Sequence, residues 1–117
     1  MCDDDSKGIE GLQALQRILE DAIEAGADAV ELEYVDDGLE ICCTFGNMGW
    51  GHVLTERGLI GQVIETVVEK ANLEKRPRGK MHIDLFGKQQ TIIVEEYESF
   101  GESVFRLILK ESRRKRR

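Results

Sequence analysis

Asp28-Ala29-Val30-Glu31-Leu32-Glu33-Tyr34-Val35-Asp36-Asp37-Gly38-Leu39-Glu40-Ile41-Cys42-Cys43-Thr44-Phe45 carries two runs of alternating apolar and polar residues around one turn. Val30, Leu32 and Tyr34 alternate with Glu31 and Glu33. Leu39, Ile41, Cys43 and Phe45 alternate with Glu40, Cys42 and Thr44. Successive side chains of a strand point to opposite faces, so each half makes a strand with one apolar and one polar side. Asp36-Asp37-Gly38 supplies the turn, and alternation on both sides of an Asp-Gly step predicts a hairpin. The apolar face of such a sheet must be covered, and helical stretches stand on both sides of the hairpin.

On the N-terminal side, Asp3-Asp4-Asp5-Ser6 reads as a cap region. Ile9, Leu12, Leu15, Ile18, Leu19, Ala22 and Ile23 fall at helical spacing and form one apolar stripe, which Gly26 ends. On the C-terminal side, Gly46-Asn47-Met48-Gly49-Trp50-Gly51 reads as a glycine-rich loop. It is not G-x-G-x-x-G and lacks the Gly-Lys-Ser/Thr ending of a phosphate-binding loop, so it is expected to be a mobile connection. Trp50 within it either folds back onto the core or acts as a contact residue. Thr55 is placed to cap a second helix, with Leu59, Ile60, Val63, Ile64, Val67, Val68 and Ala71 as its apolar face and Asn72 at its end. Its many β-branched residues lower intrinsic helicity, so burial must hold it.

Pro77 and Gly79 make the turn into the second half of the sheet. Met81, Ile83 and Leu85 alternate with His82 and Asp84, Phe86-Gly87-Lys88-Gln89 turns, and Thr91 to Tyr97 forms the next strand. After a turn at Ser99-Phe100-Gly101-Glu102, Val104, Arg106 and Ile108 alternate with Phe105, Leu107 and Leu109. Apolar residues on both faces there predict a central strand. The order is helix, two strands, helix, three strands. It predicts an α+β domain with a mostly antiparallel five-stranded sheet and both helices on one face. Ile41, Cys43, Phe45, Ile64, Val67 and Ile83 are expected to be buried together.

A chain of 117 residues, 41% hydrophobic and 33% charged, fits one soluble domain with a single core. We assign that domain to residues 1–109 and a basic, disordered tail to 110–117. The tail carries six positive charges and one negative, so the net charge of −7 leaves −12 on the body. An acidic body repels nucleic acid and anionic lipid. Only the tail residues Arg113, Arg114, Lys115, Arg116 and Arg117 could bind either, through phosphate contacts. No apolar run reaches the ~20 residues of a membrane span. The acidic N-terminus lacks the basic region of a signal peptide, so a cytoplasmic location is expected.

Cys2, Cys42 and Cys43 fit a reducing compartment, with Cys43 read as core and Cys42 as outward. Together with His52 and His82 they match no zinc spacing. The carboxylates fall on positions expected to be solvated, and no nucleophile–base pairing can be read from spacing. We therefore assign no catalytic, cofactor-binding or metal residue.

Several segments resemble the N-terminal, PAS-like subdomain of the type II secretion and type IV pilus ATPases. The helix end and first strand, Ala22-Ile23-Glu24-Ala25-Gly26-Ala27-Asp28-Ala29-Val30-Glu31-Leu32-Glu33, carry the likeness, as do Arg76-Pro77-Arg78-Gly79 and Gly101-Glu102-Ser103-Val104-Phe105-Arg106-Leu107-Ile108-Leu109. In Ile41-Cys42-Cys43-Thr44-Phe45-Gly46-Asn47 the apolar phase of the family's second strand is kept. Its two outward arginines are replaced by Cys42 and Thr44, and its Asp-Gly is lost. The resemblance runs from about Leu12 to Leu109. It implies a PAS-like fold and an accessory, partner-binding role. No Walker A or Walker B segment is present, so ATP hydrolysis is not expected.

These observations point to a non-catalytic, stand-alone protein-interaction or regulatory module. Two alternatives are a small-molecule-sensing PAS-like domain and an adaptor that binds nucleic acid or anionic membrane through its tail. The candidate partners are a secretion or pilus assembly component, as the resemblance implies, and a second copy of the chain. The expected contact patch is the open sheet face, with Glu31, Glu33, Glu40, Cys42 and Thr44, beside Trp50 in the loop.

Overall fold

The computed structural model describes residues 3–110. Its elements run α1 (Asp3–Ala25), β1 (Ala29–Val35), β2 (Gly38–Phe45), β3 (Met48–Leu54), α2 (Arg57–Ala71), β4 (Arg78–Leu85), β5 (Lys88–Ser99) and β6 (Glu102–Ile108). The chain is thus a helix followed by a three-stranded meander, repeated once. All neighbouring strands are antiparallel, in the order β3-β2-β1-β6-β5-β4. The two units meet at the β1–β6 seam, where Val30 opposes Leu107 and Leu32 opposes Phe105. β6 is therefore central, as its two apolar faces predict.

The deciding hairpin forms with Asp36-Asp37 as a two-residue turn and Val35 opposite Gly38. Val30, Leu32, Leu39 and Ile41 are buried on one face with Met81, Ile83, Leu85, Ile92, Val94, Phe105 and Leu107. Leu15, Leu19 and Ala22 of α1 and Ile60, Val63, Val67 and Ala71 of α2 join the same cluster. Both helices therefore lie on that face. Of the expected core set, Ile41, Val67 and Ile83 are buried, while Cys43, Phe45 and Ile64 are half-buried against the core. The helices cross closely at Gly11, where a Cβ would come within 2.6 Å of Gln62 Cβ. Only glycine permits that approach.

α1 ends at Gly26 in a left-handed conformation (φ 86°), and its amide donates to the Ile23 carbonyl at 3.0 Å. Asn72 ends α2 in the same way, at φ 58°. The starts of the helices differ from expectation. α1 already includes the Asp3–Ser6 stretch read as its cap. The N-cap of α2 is Glu56 rather than Thr55, and it makes no side-chain cap bond.

The main correction concerns the expected loop. The sheet has six strands rather than five, and Met48–Leu54 is its edge strand β3. Only Gly46-Asn47 form a turn, with Gly46 at φ 64° and Phe45 paired with Met48. Gly49 and Gly51 are strand residues two apart on one face. A Cβ at Gly51 would lie 2.6 Å from the Ile41 carbonyl oxygen, and one at Gly49 would lie 3.0 Å from Cys42 Sγ. These glycines let β3 lie close on β2 rather than keeping the chain mobile.

Candidate interaction edge

In an antiparallel pair, directly opposed residues share a face. The register thus sorts the expected contact residues. Glu31 opposes Cys42, Glu33 opposes Glu40, and Ala29 opposes Thr44, all on the face away from the helices. Trp50 opposes Cys43, whose side chain packs against the core, so Trp50 is on the helix side. Glu31, Glu33, Cys42 and Thr44 are brought together; Trp50 is on the other side of the sheet from them. The expected single patch is split in two. The tail residues Arg113, Arg114, Lys115, Arg116 and Arg117 lie outside the described residues.

The open face satisfies much of its own charge. One row across the sheet reads Cys42, Glu31, Arg106, Glu95, Arg78. Arg106 Nη1 donates to Glu31 at 2.8 Å, Tyr97 Oη donates to the same carboxylate at 3.1 Å, and Arg78 pairs with Glu95. Opposite charges facing each other across strands stabilise the sheet. Glu33 and Glu40 are the exception, two carboxylates directly opposed. Thr44 Oγ1 turns back to the Ala29 carbonyl at 3.4 Å. Burial pushes the Cys42 thiol above its ordinary pKa, and burial does the same to Cys43, reinforced by Cys42 and Asp21. Thiols held neutral in this way are weak nucleophiles and weak metal ligands. His52 and His82 sit on opposite edge strands. Among the described residues no cluster of His, Cys, Asp and Glu is arranged to hold a metal ion.

The helix-side face is different at its β3 end. Met48 is 69% exposed and Trp50 75% exposed, although both extend the face that elsewhere forms the core. Further along the same face of β3 is a hollow of about 300 Å³. Ala14, Arg17 and Ile18 of α1, Leu59 of α2 and His52 and Leu54 of β3 line it. Trp50 is therefore neither tucked inward nor in a loop; it stands on an ordered edge strand at the end of an incompletely covered core. Sequence reasoning missed Met48, His52 and Arg17 as members of this site. The signal was present, because Met48, Trp50, His52 and Leu54 alternate with Gly49, Gly51 and Val53.

No protein-family model matches the chain, and no curated protein matches it. Among the described residues, no helix is long and apolar enough to cross a membrane.

Proposed function

We propose that this chain is a non-catalytic protein-interaction module that docks its partner along β3. The observation that carries this reading is the exposure of Met48 and Trp50 on the core side of the sheet, on the strand whose far end, at His52 and Leu54, borders a hollow. Aromatic anchors that fill pockets supply most of the free energy of protein association. The role is similar to the accessory one implied for the PAS-like subdomain of the secretion and pilus ATPases, and on this reading the module works in the cytoplasm without a nucleotide or cofactor. The acidic open face, whose carboxylates Glu31 and Glu95 already face arginines, tunes association rather than anchoring it.

The test compares wild type with Trp50→Lys, both checked by circular dichroism. A protein partner that binds purified wild type and loses affinity at least tenfold for the variant supports the reading, and a second copy of the chain counts as a partner. Equal binding by both, or no partner for either, overturns it. Calorimetry with Mg²⁺ and ATP is expected to show neither binding nor turnover; micromolar affinity would contradict the absence of a nucleotide site, and turnover the non-catalytic part.

A further inference from the structure

Residues 41–55 contain no Asp, Glu, Lys or Arg, the longest such run in a chain that is 33% charged. A partner recognised through charge finds nothing to pair with on this strand. A second copy, carrying the same net charge of −7, approaches most easily where neither copy presents charge. β3 also carries both halves of an interlocking contact. Met48 and Trp50 protrude at its start, and His52 and Leu54 border the hollow at its end, all on one face.

We propose, building on the interaction reading above, that two copies pair antiparallel along β3 about a twofold axis at Gly51. Each hollow is then completed by the other copy. In this register Trp50 lies beside His52 of the partner subunit, and Met48 lies beside the partner's Leu54. Each Trp50 reaches over the rim of the facing hollow, where the guanidinium of the partner's Arg17 can stack on its ring. Residue i meets j and j meets i, the isologous arrangement that closes at two copies. The unpaired backbone groups of an edge strand find partners at the same time. On the opposite face Gly49 and Gly51 present no side chain, so Val53 alone projects there and meets the partner's Gly49.

Light scattering across a concentration series, together with the emission of the single tryptophan, tests this directly. The expected result is a rise towards twice the 13.3 kDa chain mass, with Trp50 emission shifting to shorter wavelength and quenching falling in step. Val53→Lys places a charge on the edge, away from the hollow, and Trp50→Ala removes the anchor. Both are expected to hold the chain at monomer mass with unchanged circular dichroism. A dimer that persists in both variants overturns pairing through β3. A wild type that stays monomeric overturns it too. If Trp50→Lys still releases a different protein partner in that case, the interaction reading stands and only self-pairing falls; with no such partner, both fall.

Discussion

The two edges of this sheet are built in opposite ways. β4 follows Pro77 and presents Arg78, Lys80, His82 and Asp84 on its open side, with Arg78 paired to Glu95. On its other side Met81, Ile83 and Leu85 are buried, and its first residues, Arg78, Gly79 and Lys80, border a hollow of about 430 Å³ rimmed by Arg76, Arg78 and Lys80. α1 also ties that edge down: Gln16 Nε2 donates to the Asp84 carbonyl at 2.9 Å, and Glu20 accepts from the Phe86 amide at 2.8 Å. β3 has no charged residue, two glycines on one side, and exposed Met48 and Trp50 on the other. Charges, proline and covering helices are the usual means by which a protein prevents its sheet edges from pairing. β4 uses all three and β3 none. The contrast teaches that exposure of an edge is a local choice, made by side chains rather than by topology.

A pair of matched substitutions separates the two edges most strongly. Met81→Ala on β4 removes a fully buried side chain and is expected to cost about 2–5 kcal/mol. Met48→Ala on β3, measured at dilutions where the chain is monomeric, is expected to stay within about 0.5 kcal/mol. Equal losses in urea unfolding would mean the edges are covered alike. A smaller effect separates the charge rows. Opposite charges face each other along Glu31, Arg106, Glu95 and Arg78, whereas Glu33 faces Glu40 on the β3 side. Glu40→Lys is expected to stabilise the fold by about 0.2–1 kcal/mol; an unchanged or lower urea midpoint would show that this repulsion is already relieved.

The smallest effect concerns Tyr97, which links β5 to Glu31 of β1. Burial raises its pKa, the Glu31 charge and hydrogen bond raise it further, Arg106 opposes, and Glu33 adds to the rise. The folded chain thus keeps the phenolic proton to higher pH than the unfolded chain. The contribution is fully present below the ordinary value of 10.0 and is lost as pH rises through the folded pKa. Melting curves of Tyr97→Phe should lose this extra alkaline sensitivity. Parallel pH profiles for wild type and variant would contradict the assignment.

Much of this architecture is legible from side-chain periodicity. The alternation of Val30, Leu32, Leu39 and Ile41 identifies the β1–β2 hairpin and its buried face, and the mixed faces of Val104 to Leu109 identify β6 as central. Gly26 and Asn72 mark real helix ends because a left-handed residue is needed there. The reading fails at 46–55 for one physical reason. Three glycines in six residues look like backbone freedom, but two of them are small because β2 lies against them. Taking a strand for a loop removes its phase, and phase is what assigns Trp50 to a face. Glu56 could not be identified as the helix start because it offers no side-chain cap bond. The hollow joins residues of two helices and two strands, and no local pattern records that meeting.

On the proposed pairing, β3 is the edge that joins two copies and β4 the edge that does not. Amide hydrogen exchange on the wild-type chain, followed over a concentration series, reads both edges in one experiment. Outward amides in 48–54 are expected to become more protected as concentration rises, while those in 78–85 exchange at a constant rate. Rising protection along β4, or none along β3 while the chain's mass doubles, would contradict it.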